Sequence, residues 1–266
     1  MASPKTSSLS KLNDKAFSDH HQEVLRTLND LYIESQTVVS NLKKVRGLRS
    51  KVKRKISVPG LGDENTIIYR THLEINSIRS RTINRREYEK TLMLIISTVE
   101  DYLLSYIRLV LRAHPARILK SIKGNNSQLN VDLSVLIKDG YENVLEREIS
   151  SRLASASFAA PAEYTKYFNE ILGDNLREDA LKRYIELKAS RDLIVHAQSH
   201  VNSIYLTKTG EDARAGLGEL LPINVQYFDA SLKTAKQICV SVYRIARRKY
   251  GSDVSVATVL GDKGFA

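Results

Sequence analysis

Several residue types are rare or missing in this chain. Its single cysteine, Cys239, excludes both an intrachain disulfide framework and a cysteine-based zinc site. Cys239 falls in the apolar phase of a helical stretch, so we predict a buried structural thiol. Trp is absent and only 5 Phe are present, so the core must consist mainly of Leu, Ile and Val, with Tyr at its edges.

Long hydrophobic segments are also missing. The longest apolar run, from Leu92 to Val99, is far shorter than the ~20 residues needed to span a bilayer. Residues 1–8 contain no apolar core segment, so we predict no signal peptide. The expectation is a soluble cytoplasmic protein without a membrane partner. The apolar fraction of 42% is too high for a disordered chain.

Positive charge is in excess and unevenly distributed. The formal net charge is +11, and residues 1–60 carry 12 Lys or Arg against 5 Asp or Glu. Such an excess favours RNA, DNA or an anionic membrane surface as a partner, without choosing among them. Eight basic residues near position 50 could form an RNA-binding arm that contacts phosphates, or a solvated linker. They are Lys43, Lys44, Arg46, Arg49, Lys51, Lys53, Arg54 and Lys55.

The spacing of apolar residues predicts an all-α fold. Apolar side chains recur every three or four residues over about 17–45 and 84–113, which indicates two long amphipathic helices. The second should be central and should end at His114, because the residue before Pro115 avoids the helical region. Only Leu220 to Val225 shows an alternation that could indicate a strand. Further helices are predicted at about 132–138, 141–154, 161–172, 178–197 and 226–250.

Pro59, Gly60 and Gly62 follow the basic run and indicate a domain boundary. We therefore predict an N-terminal helical extension with a basic linker over 1–60. A helical domain over 61–250 and a C-terminal tail over 251–266 complete the predicted organisation.

The predicted helix from Glu178 carries three residues suited to phosphate chemistry. Arg191 can hold a phosphate through its guanidinium, and His196 can transfer protons near neutral pH. Asp192 lies four residues before His196, on the same helical face, and can orient the imidazole. On a straight helix, Arg191 and His196 are about 140° apart around the axis and ~7.5 Å apart along it. They converge only if the helix ends or bends near His196, or if a second copy supplies a facing pair.

This stretch resembles the Arg-x4-His signature of HEPN domains, in which an Arg, a polar residue and a few apolar residues precede a His. The segment Tyr88–Leu119 resembles the first long HEPN helix, including an acidic pair and the closing His-Pro. The segment Val201–Leu206 resembles the RiboL-PSP-HEPN-like branch found with restriction- and defence-linked proteins. The similarity covers about residues 85–250. After His196 the chain departs from the pattern: many members carry a turn with Asn and Gly, and this chain has Ala197-Gln198-Ser199-His200.

The resemblance implies a HEPN-type helical bundle and a metal-independent endoribonuclease without cofactors, acting as a toxin or an antiviral defence effector. Two protomers would form a homodimer with their Arg-x4-His helices facing each other across one cleft. The ribose 2′-OH would attack the adjacent phosphorus, with His196 as general acid and base, Arg191 holding the phosphate, and Asp192 positioning either side chain. An antitoxin or sensor protein is a further class of partner that the resemblance suggests.

The residues leave other interpretations open. Arg191 and His196 could form part of a surface ion pair at a polar helix end, or the fold could be a non-catalytic module that binds RNA or a protein. Asp192, His196 and His200, at four-residue spacing, could bind a transition metal if the helix continued to His200. Glu100 on the central helix could face the cleft or face outward. We interpret four further arginines as the solvated face of a helix: Arg79, Arg81, Arg85 and Arg86.

Overall fold

The computed structural model describes residues 14–45, 51–60, 64–120, 133–157, 159, 161–176 and 178–250. This part of the chain is predominantly helical, which confirms the predicted all-α class. A π-helix, Thr82–Arg86, joins the second helix to the third, and a 3-10 turn, Pro115–Leu119, follows the third. The helices are α1 (Asp14–Lys44), α2 (His72–Arg81), α3 (Glu87–Ala113), α4 (Leu133–Asp139), α5 (Tyr141–Ser157), α6 (Pro161–Leu172), α7 (Glu178–His196), α8 (Ser203–Thr209) and α9 (Val225–Tyr250).

Helix α3 lies at the centre of the fold, as its wide apolar face predicts, and contacts α1, α5, α6, α7 and α9. It ends at His114, whose backbone leaves the helical region just before Pro115, as predicted. Each fully buried aliphatic side chain stabilises the fold by about 1.5–3 kcal/mol. The buried aliphatic residues of α3 are Leu92, Ile95, Ile96, Val99, Leu103, Ile107, Leu109, Val110 and Leu111.

The predicted long N-terminal helix is present as α1, which packs against α3 and α9. Leu28 and Val39 are buried on its inner face. Near the start of α1, the His21 ring stacks on Tyr243 with 4.3 Å between ring centroids. The Nδ1 of His21 also lies within hydrogen-bond distance of the Tyr102 hydroxyl, at 2.9 Å. Aromatic and aliphatic contacts together therefore hold α1 on the bundle.

Acidification should weaken this attachment. Burial lowers the pKa of His21 from 6.5 to about 4, with a smaller contribution from His20 beside it. Between these two values the unfolded chain binds more protons than the folded one, so the free energy of unfolding falls as the pH falls. We expect Tm to fall as the pH is lowered from about 7.5 to about 5. In the variant His21→Phe, whose side chain does not titrate, the fall in Tm over the same pH range should be smaller. An equal decrease in both proteins would show that His21 does not cause it.

A β-hairpin interrupts the helical chain, so the prediction that only Leu220 to Val225 could be a strand is wrong. Strand β1 (Lys53–Pro59) pairs antiparallel with β2 (Asn65–Thr71). Most side chains of both strands are exposed, so neither strand has the buried face that would produce an apolar alternation in the sequence. At the end of β2, Thr71 and Glu74 form a reciprocal capping box that starts α2. At Leu220 the structure has only an isolated bridge to His200.

The hairpin spans the predicted boundary at residue 60 and takes in part of the predicted basic linker. Residues 53–55 belong to β1, so this part of the run is strand. Arg46 and Arg49 lie outside the described residues, as does the predicted tail, 251–266. The described basic residues of the run are all exposed: Lys43, Lys44, Lys51, Lys53, Arg54 and Lys55.

Cys239 is fully buried in α9, as predicted. Burial raises the pKa of its thiol to about 12, so the thiol stays protonated at neutral pH and packs as a small apolar group. Across the described ranges, no helix combines the length and apolar character that crossing a bilayer requires.

Candidate active site

Helix α7 carries all three candidate catalytic residues and runs without interruption to His196, one residue short of its predicted end. Arg191 and His196 therefore keep the geometry of a regular helix, about 140° apart around the axis and ~7.5 Å apart along it. Leu193, between them, is buried and anchors this end of α7 in the core. A single protomer consequently does not aim Arg191 and His196 at a common point.

Arg191 is held by Glu100, which lies on α3 and faces α7. The Nη2 of Arg191 lies 3.1 and 3.3 Å from the two carboxylate oxygens. One helical turn earlier, the Nζ of Lys188 lies 2.6 Å from the same carboxylate. Lys188 is only 6% exposed, and its ammonium group also lies 4.4 Å from the centre of the Tyr164 ring. Glu100 therefore fixes the positions of two cations of α7.

Asp192 contacts cations and not the imidazole of His196. Its Oδ1 lies 3.3 Å from Nη1 of Arg191, and its Oδ2 accepts a hydrogen bond of 3.0 Å from Nζ of Lys208 on α8. Asp192 can therefore position Arg191, whereas the expected contact with His196 is absent from the described part of the chain. Three cations and two carboxylates form this group, which we call the Arg191 cluster and which carries a formal charge of +1: Lys188, Arg191, Lys208, Glu100 and Asp192.

His196 is exposed at the last position of α7. Among the described residues, none forms a hydrogen bond or an ion pair with its ring. Within the described part of the chain, both ring nitrogens are therefore open to a ligand or a substrate.

A tight turn follows His196, and it is built without glycine. Gln198 and Ser199 adopt the left-handed backbone region, with φ values of 50° and 62°. This conformation costs of the order of 1–3 kcal/mol at a non-glycine residue and persists only where the surroundings enforce it. The buried Ser199 provides this support, because its hydroxyl donates to Glu89 at 2.7 Å and its carbonyl accepts from the Leu221 N–H at 2.8 Å.

The turn also breaks the arrangement that the alternative metal site requires. Asp192, His196 and His200 would form one stripe only on an unbroken helix, and α7 ends at His196. His200 lies beyond the turn, bridged to Leu220. The described residues contain no group of three or more His, Cys, Asp or Glu side chains placed to hold a metal ion.

A buried polar network on α7, which the sequence did not reveal, lies one turn before Arg191. Glu186 accepts hydrogen bonds from Ser190 at 2.6 Å, from the Tyr205 hydroxyl at 3.0 Å and from the Tyr227 hydroxyl at 2.9 Å. The Nε of Arg214 donates to the same carboxylate at 2.8 Å, and its guanidinium stacks on the Tyr227 ring. This network ties α7 to α8, α9 and the connecting loop, and so sets the position of the helix that carries Arg191.

The basic run and the candidate site lie on connected elements. Helix α1, which carries Lys43 and Lys44 in its last turn, contacts the π-helix, and Arg79 of α2 donates a hydrogen bond to the Val45 carbonyl just after α1. The π-helix in turn leads into α3, whose Glu89 supports the turn after His196. Two residues of the basic run, Lys43 and Lys44, therefore lie on a helix that contacts the elements near the end of α7.

No protein-family model, curated protein or solved structure matches this chain.

Proposed function

We propose that this protein is a metal-independent endoribonuclease of the HEPN type, acting in the cytoplasm as a toxin or an antiviral defence effector. One observation carries the proposal: the Arg191 cluster, with its unbalanced positive charge, is centred on the same helix end as the imidazole of His196, which pairs with no residue that the structure describes. A phosphodiester would supply the missing negative charge, and its cleavage by an adjacent hydroxyl needs a proton carrier.

The reaction requires two proton transfers and no metal. One imidazole of His196 takes the proton of the ribose 2′-OH as its oxygen bonds to the adjacent phosphorus. The bond from phosphorus to the 5′-oxygen of the next nucleotide breaks, and that oxygen receives the proton that the same imidazole has taken up. Arg191 offsets the charge on the phosphoryl oxygens, and Glu100 and Asp192 keep its guanidinium in place. The products are a 2′,3′-cyclic phosphate and a 5′-hydroxyl.

A homodimer supports this chemistry better than a monomer. Because Arg191 and His196 diverge by about 140° on one helix, a second α7 facing the first would bring Arg191 of one copy opposite His196 of the other. Exposed apolar side chains around the helix end offer a surface for that contact. They are Val195 (49% exposed), Ile204 (62%), Leu217 (68%) and Leu220 (50%). The loop that carries Leu217 and Leu220 runs beside the turn after His196, through hydrogen bonds of residues 218, 219 and 221 to residues 199 and 201.

A non-catalytic module that binds RNA or a protein partner is the second candidate. The observation that favours it is the pairing of Arg191 with two carboxylates, since a structural ion pair has the same geometry. An antitoxin or sensor protein would suit either candidate, because the exposed apolar side chains around His196 could also receive such a partner.

Cleavage of total RNA by the purified protein in the presence of EDTA separates the two candidates. The ribonuclease is expected to cut without divalent metal and to leave 2′,3′-cyclic phosphate and 5′-hydroxyl ends, as end-group analysis by mass spectrometry would show. Absence of cleavage would favour the binding module. Fragments with 3′-hydroxyl ends would contradict the proposed attack by the 2′-OH.

A further inference from the structure

A cleft of about 630 Å³ opens between the junction of α2 with the π-helix and the turn that follows α7. Its size is within the range of about 300–1,000 Å³ typical of small-molecule sites. Polar and basic side chains provide most of its lining, among them Arg81, Asn84, Arg85, Arg86, Gln198 and His200. The sequence-based interpretation of these arginines as a solvated helix face therefore misses the concave surface that three of them share.

The cleft has more positive than negative charge, and much of that charge is unpaired. Arg85 bonds Glu89 through its Nε at 2.6 Å, while its Nη2 is buried without a hydrogen-bond partner. In the part of the chain that the structure describes, Arg81 and Arg86 have no carboxylate or carbonyl partner. Glu89 is the one acidic residue of the described lining. An anion in the cleft would meet two free guanidinium groups and one unsatisfied N–H donor.

The π-helix is responsible for this arrangement. Over Thr82–Arg86 the backbone bonds widen to the i to i+5 pattern, as the bond from the Glu87 N–H to the Thr82 carbonyl shows. An inserted π-turn shifts the helical phase of the residues that follow it, and such turns occur frequently at functional sites. Arg85 and Arg86 are the last two residues of this π-turn, and both line the cleft together with residues of the turn after His196.

We propose that this cleft binds phosphate groups of the RNA strand next to the bond that is cut, so that it positions the substrate without reading its sequence. The identity of the ligand rests on the proposed function, whereas the location rests on the cleft itself. Arginine pairs with phosphate through two parallel hydrogen bonds, and the His200 ring and the Asn84 and Gln198 amides offer further donors. The described lining contains no Phe, Tyr or Trp, so base stacking does not contribute and affinity comes from the backbone.

Fluorescence anisotropy with a short labelled single-stranded RNA tests the proposal, using His196→Ala protein so that the RNA stays intact. Loss of two phosphate contacts in Arg81→Gln/Arg86→Gln should weaken binding about tenfold at low salt and reduce the slope of log Kd against log salt by about 1.4. The matched control is Arg26→Gln/Arg244→Gln, which removes two exposed arginines of α1 and α9. This control should leave the slope and the affinity close to those of the parent protein.

Equal salt slopes for the cleft variant and the control would overturn the proposal, whatever the cleavage assay shows. A changed slope would support it, even if the wild-type protein cut no RNA and the ribonuclease proposal failed. Competition with adenosine 5′-monophosphate and with inorganic phosphate distinguishes the sources of the phosphate. If either small anion bound through Arg81 and Arg86 while RNA did not, the assignment of the cleft to an RNA strand would be overturned.

Discussion

His196→Ala is expected to lower the rate of RNA cleavage by about 100- to 10,000-fold, the usual contribution of a general acid or base. The imidazole is exposed and makes no hydrogen bond within the described ranges, so its removal should change the free energy of unfolding by less than about 0.5 kcal/mol. Loss of activity would then report on chemistry and not on folding. The measurement is the single-turnover cleavage rate of a defined RNA, with Tm recorded for each protein.

His114→Gln provides a matched histidine control. His114 lies at the far end of α3 from Glu89, about 38 Å along the helix axis, and Glu89 is the residue that bonds the turn after His196. The His114 variant should cleave RNA at the wild-type rate. A His196→Ala protein that kept this rate, or equal losses in the two variants, would contradict the role given to His196.

Glu186→Ala is expected to destabilise the fold by about 3 kcal/mol, which corresponds to a decrease in Tm of about 5–10 °C. The change removes the acceptor shared by Ser190, Tyr205 and Tyr227, and it leaves the guanidinium of Arg214 without its carboxylate. An unpaired cation in a largely buried position costs several kcal/mol, since it has lost both water and its partner. Urea denaturation gives the free energy of unfolding directly.

Glu178→Ala on the same helix is the control for this loss. Glu178 forms a surface ion pair with Lys182, in which both side chains are more than half exposed. Such pairs contribute no more than about 1 kcal/mol, so the control should stay close to the wild-type stability. Similar losses for Glu178→Ala and Glu186→Ala would mean that the buried network does not stabilise the fold.

Local sequence signals were sufficient for most of the helices. The central position of α3 follows from its wide apolar face, and its end at His114 follows from Pro115. Each of these signals is contained in residues that are close together in the sequence. The end of α6 at Leu172 likewise follows from Gly173, which adopts a φ of +69°. Local signals failed for the hairpin of β1 and β2, because strands exposed on both faces show no apolar alternation.

Long-range pairing explains what the sequence missed in the site. The four-residue spacing suggested that Asp192 orients His196, yet Asp192 bonds Lys208, which lies 16 residues further along the chain. Hydrogen bonds between a carboxylate and an ammonium or guanidinium group are about twice as strong as those between neutral groups, which favours Lys208 and Arg191 as partners of Asp192. Glu100 and Glu186 acquire their roles only when α3, α8 and α9 pack against α7, and no sequence spacing contains that information.

The central claim is that Arg191 of one protomer acts with His196 of another, since one straight helix keeps them apart. Mixing Arg191→Ala with His196→Ala protein, after unfolding and refolding them together, tests it most directly. Each variant alone should be inactive. Random pairing in a symmetric dimer would rebuild one composite site in half of the dimers, so the mixture should recover about a quarter of the wild-type cleavage rate. A mixture as inactive as its two components would contradict the claim.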